Sequence, residues 1–265
     1  MATNRGIVCV VALVCALLPA TPSGQAGAQL NTRKATTTAD GDTGLWFVPT
    51  GEVLPARKWS FSIYRVNFDY EEGFTDISNW PVTIGVGLGD RAELFGAWHV
   101  VRRIDRDLRP IFTSDLESGG LVNEYPFVRQ GWSENQLGDL YLGAKINLTA
   151  PWRRENRGPA FALRGMVKIP TAKDDEEGVG TGKADFIFDA ILSKEFNERV
   201  EVAGFGGLIF RGDPDDAELT NGFRWGFGAG FPTRRALRLT TELHGEFYFD
   251  DELTLSRVLT GHEDG

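Results

Sequence analysis

The chain reads "GKADFIFDAILSK" from Gly182 to Lys194, and this stretch limits the available folds more than any other. A β-strand sends successive side chains to opposite faces. As a strand, it puts Ala184, Phe186, Phe188, Ala190 and Leu192 on one face, with Asp185, Ile187, Asp189, Ile191 and Ser193 on the other. One face is wholly apolar and the other carries two carboxylates. A soluble sandwich would turn the apolar face inward and leave the acids in water. A membrane barrel would do the reverse.

The alternation recurs along the chain. Nine strands are predicted: Arg57–Phe68, Trp80–Leu88, Arg91–Val101, Leu137–Thr149, Pro159–Ile169, Gly182–Lys194, Arg199–Arg211, Asn221–Phe231 and Ala236–Phe249. They run nine to fourteen residues, whereas ordinary strands average about five or six and tilted membrane strands need about 9–11. The fourth strand sets Leu140, Leu142, Ala144, Ile146 and Leu148 against Asp139, Tyr141, Gly143, Lys145 and Asn147. The ninth sets Leu237, Leu239, Leu243, Phe247 and Phe249 against Arg238, Glu242, His244 and Glu246. The first does not phase cleanly, and a bulge near Tyr64 would account for that. Short turns such as Gly89-Asp90, Phe196–Glu198 and Pro232–Arg235 alternate with long or acidic connections, among them residues 102–136. That asymmetry belongs to outer-membrane barrels. A lipocalin-like barrel or sandwich is the soluble alternative, but so many wholly apolar faces would overfill its core.

The N-terminus fits export. Arg5 precedes an apolar run from Ile7 to Leu18, and Ala26-Gly27-Ala28 ends the segment as a small-residue cleavage site. About twelve apolar residues are too few to span roughly 30 Å of hydrocarbon as a helix. Both cysteines, Cys9 and Cys15, fall inside this signal, so the mature chain has no thiol chemistry. The net charge is −9 with no basic tract, which excludes nucleic acid as a partner. The expected organisation is a signal over 1–28, a periplasmic tail over 29–43, a barrel over 44–251, and a loop or truncated end over 252–265. The strand count is odd, so the chain is expected to be a fragment cut before its closing strands, or to use Leu45–Val48 as an extra edge strand.

The fold class is therefore all-β: an antiparallel up-and-down transmembrane barrel of eight to ten strands. Its inner face carries near-balanced charges: Lys145, Arg164, Lys168, Arg211, Arg224 and Arg238 against Glu93, Asp139, Asp185, Asp189, Glu201, Glu242 and Glu246. Buried charges are tolerable when paired, and a small barrel is filled by its side chains. The inner-face glycines of the seventh and eighth strands are expected to make room for long arginines from neighbours.

Several strings resemble the N-terminal barrel of outer membrane protein A (OmpA) family proteins: "GLWFVPTGEVLPARKWSFSIYR", "GVGLGDRAELFGAW", "NEYPFVRQGW", "LGDLYLGAKINL", "FALRGMVKIPT", "GKADFIFDAILSKE" and "NGFRWGFGAGFP". They cover about Gly44 to Asp251. Similar strings occur in outer-membrane transporters for aromatic compounds. The resemblance implies an envelope-structural barrel in the outer membrane, with lipid and lipopolysaccharide as partners. Peptidoglycan enters only through a C-terminal domain absent from this sequence. The alternative it implies is a small porin or transporter.

No catalytic, cofactor or metal site is expected. "GVGTGK" (Gly178–Lys183) has Glu177 and Ala184 where a phosphate loop needs Gly and Ser or Thr. His244, between Glu242 and Glu246, and His99 read as polar packing rather than acid–base catalysts. Asp174–Glu177 and Asp213–Asp216 read as solvated loop acids without EF-hand spacing. Arg211-Gly212-Asp213 spells an adhesion tripeptide that recurs by chance. Trp59, Trp98, Trp152 and Trp225 are candidates for interfacial girdles.

Overall fold

The computed structural model describes residues 35–70, 75–106, 133–149, 158–173, 180–214, 217–235, 237–250 and 254–255. The signal segment, Trp152, Asp174–Glu177 and the loop residues 71–74, 107–132 and 150–157 lie outside these residues. The strands are β1 (Trp59–Ile63), β2 (Val66–Tyr70), β3 (Thr75–Leu88), β4 (Ala92–Arg106), β5 (Ser133–Gln136), β6 (Leu140–Asn147), β7 (Ala160–Ile169), β8 (Asp185–Phe196), β9 (Val200–Phe210), β10 (Ala217–Glu218), β11 (Gly222–Phe231), β12 (Leu239–Tyr248) and β13 (Thr254–Leu255). No helix occurs among the described residues. One antiparallel sheet runs in the order β1-β3-β4-β6-β7-β8-β9-β11-β12, with β2 also on β3 and β5 also on β4; β10 and β13 form a separate ribbon.

The sheet curls, because β4 and β12 both reach one segment on its concave side: Glu93 accepts from the backbone N–H of Thr43, and Glu242 from that of Trp46. The alternation assigns the two surfaces. On β8, Phe186, Phe188 and Leu192 are exposed on the convex side, Phe188 to 55%. Asp185, Ile187, Asp189, Ile191 and Ser193 are buried on the concave side. β6, β7, β9, β11 and β12 follow the same rule. Convex apolar and concave charged is the membrane-barrel polarity. Trp59, Trp98 and Trp225 all face outward.

Two local features differ from the sequence reading. The first predicted strand is interrupted at Tyr64-Arg65, yet β1 and β2 keep one register on β3 (Ile63↔Val82, Val66↔Asn79) and no residue is inserted. It phased poorly because Val66 turns inward where polar residues were expected. The irregularity lies one strand further on. Trp80 faces Val101 while Pro81 faces His99, which leaves Val100 extra on β4. Proline has no N–H to give a ladder, so a strand tolerates it at such a bulge.

Leu45–Val48 is not an edge strand. Its ends close on each other, with Leu45 N–H donating to Val48 O at 2.9 Å and Gly44 bridging to Pro49. Residues 36–54, including part of the expected tail, lie on the concave side of the sheet and are hereafter the plug.

Candidate functional site

Register brings inner charges from six strands into one lateral row: Glu93↔Lys145↔Arg164↔Asp189↔Gly207↔Arg224↔Glu246. Arg164 sits on Asp189 at 2.7 Å. Gly207, lacking a side chain, leaves room for Asp189 and lets Arg224 approach it to 3.8 Å. The guanidiniums of Arg164 and Arg224 also lie 5.8 and 5.5 Å from the Phe205 ring centroid, within cation–π range.

The plug completes the row. Lys145 Nζ meets Asp42 and Glu93 at 3.0 Å each and donates to Thr43 O at 2.6 Å. Arg164 reaches Asp42 at 3.1 Å and Asp40 at 3.4 Å. Glu93 accepts from Thr43 N–H, Thr43 Oγ1 and Leu54 N–H at 2.7, 2.6 and 2.7 Å. Burial pushes the Asp42 carboxyl up, but Lys145 and Arg164 hold it below the usual carboxylate range, so it stays ionised.

The remaining predicted charges sit around this centre. Lys168 pairs with Asp185 at 2.6 Å and donates to Thr181, a residue of the "GVGTGK" string, at 2.9 Å. Asp139 accepts from Thr171 and Ala172 N–H, tying down the turn after β7. Arg211 turns inward onto Glu246 at 2.6 Å, so the tripeptide's arginine is engaged inside. Arg238 pairs with Glu201 and also donates to Thr36 at 3.3 Å. The glycines follow the expectation in part. Gly204 and Gly206 face outward, beside Phe227 and Phe223. On the inner face Gly230 makes room for Arg238 and Gly207 lets Arg224 approach Asp189; Gly222 admits Glu246, Gly226 admits Phe205, and Gly228 admits the plug.

The plug has two ends. Its root is held by β4, β6, β7 and β8: Asp42 and Thr43 as above, and Gly51 by Ser193 at 2.9 Å and by Asn147. Its tip, Leu45–Val48, crosses to the far wall. There the N–H groups of Trp46, Phe47 and Val48 all donate to the Glu242 carboxylate, at 2.8, 2.7 and 2.7 Å. Leu45 and Val48 pack with Ala162, Ile191, Ala203 and Phe205.

Trp46 and Phe47 are the part of the tip that is not fully buried. Phe47 lies 4.7 Å from His244 and 6.4 Å from Phe68, and Trp46 lies 5.2 Å edge-on to Tyr64. His244 Nε2, His99 Nδ1 and Asn79 Oδ1 are buried atoms without a hydrogen-bond partner among the described residues. The side chains of Asp40, Arg224 and Glu246 keep 32, 20 and 23% exposure, against none for Lys145, Asp42 and Glu93. Water therefore reaches Asp40 and the Arg224–Glu246 end of the row and is excluded from its Lys145–Glu93 end. Sequence reading missed Asp40, Asp42, Trp46 and Phe47. Four apolar residues between Gly44 and Pro49 are too short for a membrane strand, and that mismatch was the available signal.

The family model described as "Putative MetA-pathway of phenol degradation", a family of outer-membrane β-barrel proteins, matches residues 92–248. No OmpA family model matches, so the OmpA resemblance gives way to this family. No curated protein matches the chain.

Proposed function

The chain belongs to this family of outer-membrane β-barrel proteins, matched over more than half its length, and from that premise we propose that it passes small ring-bearing solutes across the outer membrane. The observation that carries the reading is the plug. A barrel that its own wall side chains fill needs no further segment inside. Here residues 36–54 occupy the lumen, and they attach through side chains rather than through the sheet ladder. A closure that can leave without unzipping the wall suits a passage. The family description supplies the solute class. The half-exposed rings of Trp46 and Phe47, with the unpaired Nε2 of His244 beside them, suit a planar ring carrying a hydrogen-bonding group.

A structural role in the envelope is the second reading, favoured by the ion pairs that bind the wall to the plug at Lys145 and Arg164. Under either reading the outward face meets lipid and lipopolysaccharide, and no catalytic step is involved. Proteoliposomes at neutral pH test the choice, with benzoate as a ring solute that crosses lipid slowly when ionised. Protein-dependent benzoate entry faster than that of a sugar of similar size is expected. Entry no faster than in protein-free vesicles would leave the structural role.

A further inference from the structure

The plug is fastened unequally, and the wall against its tip carries a glycine. On β11 the inward positions include Gly222, Gly226, Gly228 and Gly230. A Cβ at Gly228 would meet Leu45, Glu242 and Val48, so the tip fills the space that this glycine leaves. The root is tied to β4, β6, β7 and β8 by two cations, a buried carboxylate and a backbone clamp. The tip's polar attachment to the far wall is one carboxylate, that of Glu242, bonded to three successive N–H groups.

We propose that Leu45–Val48 is a gate hinged on the plug's fixed root and latched by Glu242. When the tip leaves, it vacates the space against Gly228 of β11, between Phe205 at Gly226 and Arg238 at Gly230. The root stays, because releasing it would strand Lys145 and Arg164 in the lumen without their plug acids, which is costly. Releasing the tip frees three N–H groups and one carboxylate, which water entering behind the tip can satisfy. Glu242 is a positioning residue here. A solute bound on Trp46 and Phe47 touches the element that must move, which gives it leverage on the gate. This inference rests on the transport reading.

The geometry supplies a lock. The ideal Cβ at Gly228 lies 3.4 Å from Val48 Cβ, close to the roughly 3.5–4.5 Å separation found in disulfides. The background is the full chain with Cys9 and Cys15 replaced by serine, reconstituted in vesicles. Val48→Cys/Gly228→Cys, oxidised with diamide, is expected to abolish benzoate entry, and dithiothreitol to restore it. Independently of passage, Val48→Cys alone reports the tip, since Val48 is fully buried. A water-soluble maleimide should label it slowly, and about tenfold faster when Glu242→Gln removes the charged acceptor. Benzoate entry undiminished by the disulfide would overturn the gate and leave transport standing. If the double variant does not fold, labelling decides: a rate unchanged by Glu242→Gln overturns the latch. Faster labelling with no benzoate entry in any variant would keep the moving tip and sink the transport reading.

Discussion

Lys145 shows how tightly the plug and wall depend on each other. Its ammonium has no water contact and is shared between Asp42 of the plug and Glu93 of β4. Lys145→Met would leave two carboxylates facing each other in a dry centre. Breaking a buried ion pair from one side costs about 3–5 kcal/mol, so the urea midpoint, followed by tryptophan fluorescence in micelles, should fall by that equivalent. Adding Asp42→Asn should recover part of the loss, because the two groups share one network; strictly additive costs would show that they do not. The signs and inward direction of Lys145, Arg164 and Asp189 were legible from strand parity alone. Their alignment in one row was not. Parity gives a face, whereas a row needs register, and register is set by turns such as Asn197-Glu198, where both residues take positive φ. Asp42 was illegible for another reason: it lies in a segment with no periodicity to assign it a face.

At the scale of elements, β6 to β9, β11 and β12 were readable because each repeats one two-residue rule and each turn between them is marked by Gly, Pro or Asn; β10, two residues in an expected loop, was not. The plug obeys no such rule: local turns such as Leu45 N–H to Val48 O and contacts with the wall together give Thr36–Leu54 its shape. The glycines show the limit of pattern reading, since a glycine's face says nothing about what occupies the space beside it. Two of them can be told apart experimentally. A Cβ at Gly207 would strike the Phe188 carbonyl and the backbone of Asp189, which cannot yield without moving β8. A Cβ at Gly165 would meet only the Phe188 ring, at 3.7 Å, an ordinary contact. Gly207→Ala should therefore lower stability by about 1–3 kcal/mol. Gly165→Ala should stay within about 0.5 kcal/mol. Equal unfolding midpoints for the two variants would mean that β8 and β9 are not packed as described.

For the whole molecule, the sheet is convex-apolar and concave-charged, and this inversion separates a membrane barrel from a soluble one. The first and last strands of the sheet, β1 and β12, run in the same direction, as the alternation of nine antiparallel neighbours requires. Antiparallel closure therefore calls for one further strand of opposite sense between them. The lipid face can be tested by depth. Phe188 lies within β8, opposite Leu208 and opposite Gly165 at the middle of β7, and it is 55% exposed. Phe231 is similarly exposed, at 53%, but ends β11 beside the short turn that begins at Pro232. An arginine on a lipid-facing strand costs about 2–4 kcal/mol at the bilayer midplane and about 0–1 near the interface. In water, either exposed site should accept arginine within about 0.5 kcal/mol. Folding into vesicles against urea, read by the shift of the unheated gel band, should thus show a large loss for Phe188→Arg and little for Phe231→Arg. The contrast is what decides. Two small, equal losses would mean that the apolar convex face is not bathed in lipid, and the transmembrane barrel, the passage and the gate would fall together.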